Sequence, residues 1–145
     1  LTSKWSEYDK YAFTIFPEAN DLAEALFESS ARGRDAVAAI KSIRHTAQNQ
    51  VDWFYNRGSF LQVRPPVWII RQEKFEEDFY QFLDKAGLHH LKNRIEIETD
   101  PVRAHVGSYS ESPKLTEKAI DNLRCWYCQD ICFYDMCENW LSSQL

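Results

Sequence analysis

The amino-acid sequence predicts a mainly α-helical domain with one or two short strands. Two observations lead to this class. Apolar residues recur at steps of three and four over long stretches, the spacing that aligns one face of an α-helix. Only Val67 to Ile70 and the segment RIEIETDPV, which begins at Arg94, have the β-branched or alternating character of a strand.

Taken in order, NDLAEALFESS follows Pro17 and predicts a helix with Asn20 as its cap and Leu22, Ala25 and Leu26 as its stripe, ending near ARGR. From Asp35 onward, Val37, Ile40, Ile43, Ala47, Val51 and Phe54 predict one long amphipathic helix, halted by NRGS at 56–59. Pro65 and Pro66 then precede the short, buried strand expected at Val67 to Ile70. Phe75, Phe79, Phe82 and Ala86 again share a helical face, and Gly87 stands where a C-terminal cap requires positive φ. GSYSESPKL reads as a polar loop. It leads to a helix through Leu115, Ala119 and Leu123, capped by Thr116 or Ser112, and Asp130 is the expected cap of the last helix. No repeat, low-complexity tract or linker divides the chain, so residues 1–145 read as a single domain.

A chain of 145 residues buries roughly 68 to 70% of its unfolded surface and needs no covalent staple. No apolar run approaches the roughly 20 residues of a membrane span. Lys4, Glu7, Asp9 and Lys10 break up any signal-peptide core, and no Asn-x-Ser/Thr sequon occurs, so the expectation is a cytoplasmic protein with reduced cysteines. The only methionine, Met136, favours reading the sequence as the carboxy-terminal part of a longer protein. The net charge of −5 is unevenly spread: residues 32–74 hold eight bases against three acids, +5, leaving −10 elsewhere. An acidic chain of this kind predicts no nucleic-acid partner, while its basic middle suits a small anion.

All four cysteines lie in LRCWYCQDICFYDMCENWL, residues 123–141. On one unbroken helix Cys125, Cys128 and Cys132 share a face and Cys137 lies about 120° from Cys125, so four thiolates cannot surround one ion. A break near Asp130 would relax that objection and keeps a cysteine-ligated metal domain among the readings. The expectation is no metal, with buried thiols packing as small apolar groups.

The same stretch carries a resemblance. LTEKAIDNLRCWYCQDICFYD, with Tyr127, Asp130 and Tyr134 spaced Y-x2-D-x3-Y, resembles the closing segment of the carbohydrate-type sulfotransferases. WIIRQEKFEEDFYQFLDKAGL resembles that family's strand ending in Arg-x-Glu and the acidic helix after it. FPEANDLAEAL and IRHTAQNQVDWFYNRG resemble its acceptor-side helical segments, and AHVGSYSESPKLTEKA the loop before its last helices. The order of these pieces, from about Phe16 to Tyr134, carries the likeness.

The resemblance implies the C-terminal part of a P-loop-like α/β fold. It also implies transfer of a sulfuryl group from 3′-phosphoadenosine 5′-phosphosulfate to a hydroxyl of a carbohydrate or small molecule. Ser108, Ser110 and Lys114 match the loop that contacts the nucleotide donor, where hydroxyls and an ammonium hydrogen-bond phosphate. His45 and Gln48 match the segment bordering the acceptor cleft. Arg71 and Glu73 match the Arg-x-Glu, read as an ion pair fixing a turn, and Tyr127, Asp130 and Tyr134 are read as scaffold. The Gly-rich phosphosulfate turn has no counterpart among Gly33, Gly58, Gly87 and Gly107, so the expectation is a part that is inactive alone and can pair as a homodimer through exposed apolar surface. A stand-alone helical binding module is the alternative.

Overall fold

The computed structural model describes residues 6–54, 56–95 and 114–144. Its helices are α1 (Glu7–Ile15), α2 (Ala19–Ala25), α3 (Ala31–Ser42), α4 (Phe60–Val63), α5 (Phe75–Lys85), α6 (Glu117–Trp126) and α7 (Cys128–Ser143), joined by 3-10 turns at Gln50–Trp53, Arg57–Ser59, Gln72–Lys74 and His89–Leu91. The mainly helical class therefore holds. Among the described residues there is no strand, and no helix is long and apolar enough to cross a membrane.

Helix α1 begins with a reciprocal cap that sequence reasoning missed. The Asp9 N–H donates to the Ser6 hydroxyl oxygen at 3.1 Å while the Ser6 N–H donates to the Asp9 carboxylate at 2.8 Å. The same carboxylate accepts from the Arg44 N–H at 3.3 Å, which ties α1 to the end of α3 and explains how an aspartate is buried here. Helix α2 starts one residue before Asn20. Rather than capping, Asn20 reaches along its own helix to Glu24 at 3.2 Å and accepts the Thr116 N–H at 2.8 Å.

The long helix expected over residues 35–54 stops at Ser42. Ile43 turns extended, and the Thr46 hydroxyl donates to the Ile40 carbonyl at 2.7 Å and to that of Ile43 at 3.2 Å. That hydroxyl competes for carbonyls a continuing helix would have used. Val51 is buried within a 3-10 turn, and Phe54, partly exposed just after it, packs on the Phe133 ring, so the two share no helix.

The strand expected at Val67 to Ile70 is absent too. Extended backbone becomes a strand only by pairing, and this segment packs by side chains instead, Trp68 lying 6.2 Å from the Trp140 ring, while the next N–H, that of Arg71, goes to the Asp78 carboxylate at 2.9 Å. The second candidate strand falls, beyond Ile95, outside the described residues. Gly87 does what its spacing predicts: at φ 72° it closes α5, its N–H donating to Asp84 and that of Leu88 to Leu83 at 2.7 Å.

Two apolar clusters result. Ala12, Phe16, Leu26, Ala36 and Ile40 join α1, α2 and α3, with Leu123 and Tyr127 packed against them. Val51, Leu61, Phe133 and Cys137 form the second, where the Phe54 and Phe133 rings lie 4.8 Å apart. Helices α6 and α7 connect the clusters through a break at Tyr127, three residues earlier than the break expected near Asp130.

Candidate functional site

The break at Tyr127 creates the site. Because α6 ends there with φ −99° and ψ 24°, the face carrying Tyr127, Asp130 and Tyr134 turns toward the irregular segment after α3. Tyr127 is held by donating its hydroxyl to the Thr46 carbonyl at 3.2 Å, and burial pushes its pKa up. Asp130 does not cap α7; it accepts the Val51 N–H at 3.0 Å and so fastens the 3-10 turn over the helix.

Between these pieces lies a cleft of about 400 Å³, lined by His45, Gln48, Gln50, Tyr127, Asp130 and Tyr134, with Ile131 completing the wall. The Gln48 side-chain oxygen accepts from the Trp53 indole at 3.3 Å, leaving its amide N–H groups as the donors it offers the cleft. The arrangement sets an imidazole, two amides and a carboxylate beside the rings of two tyrosines. Such a set suits a ligand rich in hydroxyls and with apolar ring faces.

A second cleft, about 470 Å³, shares Gln50, Asp130 and Tyr134 with the first and continues to Arg71, Glu73 and Trp68. The ion pair expected between Arg71 and Glu73 has a different partner. Arg71 donates to Asp78 through Nε at 2.7 Å and Nη2 at 2.6 Å, and to Glu138 through Nη1 at 2.5 Å. Hydrogen bonds from Arg71 hold the Asp78 carboxyl below its usual range and push the guanidinium further up. Glu73 instead accepts from the Tyr134 hydroxyl, and this bond holds Glu73 low and pushes Tyr134 up to about 12. Trp68 is buried with its indole N–H lacking an acceptor among the described residues.

The structure thus brings together His45 and Gln48, expected at an acceptor site, with Tyr127, Asp130 and Tyr134, expected to be scaffold. Lys114 is exposed shortly before α6 and does not line this cleft; Ser108 and Ser110 lie outside the described residues. Gln50 and Ile131 were missed. Gln50 was hidden inside the over-long helix, though Ile131 was legible one turn from Tyr127 and Tyr134. The cysteines correct an expectation: only Cys137 is buried, its thiol pushed up by burial, while Cys125, Cys128 and Cys132 are exposed. Among the described residues no three His, Cys, Asp or Glu side chains gather as a metal-binding group. Compared with protein-family models, curated proteins and solved structures, the chain matches none.

Proposed function

We propose that residues 1–145 form the acceptor-side part of a sulfuryl transferase that uses 3′-phosphoadenosine 5′-phosphosulfate and a carbohydrate or small-molecule hydroxyl. One observation carries the reading. Two segments far apart in sequence, each chosen by likeness to the same family, converge on one cleft: His45 and Gln48 from one, Tyr127, Asp130 and Tyr134 from the other. Sulfuryl transfer needs its acceptor oxygen held in line with the departing phosphate, and binding groups on fixed helices supply that orientation. In this reading the cleft's side chains hold the sugar ring while Asp130, tied to Val51, keeps the wall in place.

The described glycines do not fit the donor's phosphosulfate. Gly33 sits inside α3, Gly58 in a 3-10 turn and Gly87 at the end of α5, so no Gly-rich turn at a helix N-terminus is formed among the described residues. The reading therefore assigns that cradle to residues outside this chain and leaves Ser108, Ser110 and Lys114 to contact the nucleotide's remaining phosphate. A stand-alone binding module is the second reading, favoured by an apolar pocket of about 430 Å³ beside the cleft.

The coding sequence upstream of Leu1 and a calorimetric titration separate the two. A strand followed by a Gly-rich loop upstream, with transfer of radiolabelled sulfate to a saccharide by the longer protein, is expected. An in-frame stop directly upstream, with no heat on titration of 3′-phosphoadenosine 5′-phosphate, would overturn the transferase reading.

A further inference from the structure

Beside this cleft, whose lining mixes polar and apolar groups, lies a pocket that is almost wholly apolar. It is walled by Phe16, Ala19, Leu22, Ile40, Ile43 and Leu123 among others, and Thr46 and Tyr127 supply its polar atoms. Tyr127 lines both spaces, and the consecutive residues His45 and Thr46 line one each. The Tyr127 hydroxyl is committed to the Thr46 carbonyl. The wall between the two spaces therefore has its own polar atoms satisfied and offers the pocket chiefly a ring face.

We propose that the acceptor is an amphipathic glycoside whose sugar occupies the mixed cleft and whose alkyl or aromatic aglycone lies in the apolar pocket on the other side of Tyr127; this rests on the acceptor-site reading above. A free sugar would leave the apolar pocket of about 430 Å³ unfilled, while a plain hydrocarbon would make no use of the amide and carboxylate groups next door. Only a molecule with both parts uses both spaces. Its affinity comes from the aglycone, at about fourfold for each methylene buried, and its orientation from the sugar. The aglycone acts as remote binding energy, while the sugar's own bonds fix which hydroxyl faces the donor.

The test is calorimetric titration of the full chain with n-alkyl glucosides, galactosides and N-acetylglucosaminides from ethyl to octyl, kept below micelle formation, beside the free sugars and the matching alkanols. The proposal expects affinity to climb with chain length at about fourfold per methylene, to exceed that of the alkanol of equal length, and to differ between sugars. Ala19→Trp and Leu115→Trp, at exposed positions on different sides of the chain's order, fill the pocket and flatten that ladder, with unchanged circular dichroism confirming the fold. Sugar binding that ignores chain length would overturn this proposal while leaving the acceptor reading intact. Alkanols binding as tightly as glycosides, or no alkyl ligand binding at any chain length, would overturn it too. Absence of any sugar or glycoside binding, with no sulfate transfer by the longer protein, would remove the acceptor reading itself.

Discussion

Asp78 is 1% exposed and would be costly to ionise alone, yet it is ionised because Arg71 meets it with two side-chain bonds and a backbone N–H. Removing one partner is far worse than never having had the pair. Arg71→Met leaves a buried carboxylate unpaired and is expected to cost about 3 kcal/mol at neutral pH, measured by urea unfolding. Asp78 has its folded pKa held below its unfolded value, so its contribution is complete above about pH 4 and is lost as pH falls through the folded value. The deficit of Arg71→Met is therefore expected to shrink as pH falls, beginning above about pH 4, because the orphaned carboxyl, its pKa now raised by burial alone, takes up a proton there. A deficit independent of pH would show that packing, not charge, is what Arg71 provides. The pair was only half legible in sequence. Arg-x-Glu marked Arg71 as structural, but the acidic run EEDF gave no sign which carboxylate is turned inward, because that depends on where α7 brings Glu138.

At the scale of elements, α3 is set by its entry. Ser30 caps it by accepting the Gly33 N–H at 3.1 Å, and the chain folds back so tightly that a Cβ on Gly33 would lie 2.0 Å from the Glu28 carbonyl oxygen. Alanine favours a helix over glycine by about 1 kcal/mol, but a clash with backbone is not relieved by a rotamer change. Gly33→Ala is expected to lower stability by about 2 kcal/mol despite its better propensity, read as a fall in thermal midpoint; a gain would mean that the α2–α3 turn yields. Helix presence was legible where apolar spacing and a Gly87-type stop coincided, as in α5. Helix ends were not: Thr46 against Ile40, and Asn20 against Thr116, are bonds made across turns and between distant segments, which local spacing does not encode. The missed α1 was the exception, since SEYD carries the capping pattern that its few apolar residues obscure.

Across the whole molecule, the break at Tyr127 sorts the cysteines as well as the clefts. Three thiols face solvent and the fourth belongs to the second apolar cluster. A thiol titration with a disulfide reagent is expected to give three rapid equivalents in native protein and a fourth only in denaturant. Four rapid equivalents would show that the cluster around Phe133 opens readily. The helical class followed from the sequence because it is summed over many residues. The candidate site was legible in its membership, His45 and Gln48 on one side and Y-x2-D-x3-Y on the other, but not in its assembly, which needed the early end of α3 and a break three residues from the one expected.

One contact also bears on how the chain comes into being. The Asn122 side-chain amide donates to the carbonyls of Ala23, Glu24 and Leu26 at 2.9, 3.2 and 3.1 Å, finishing the end of α2 from the far side of the sequence. A ribosome delivers α2 long before it delivers that amide. The end of α2 is therefore completed only by a partner 96 residues further along the chain, a non-local contact of the kind that forms late in folding.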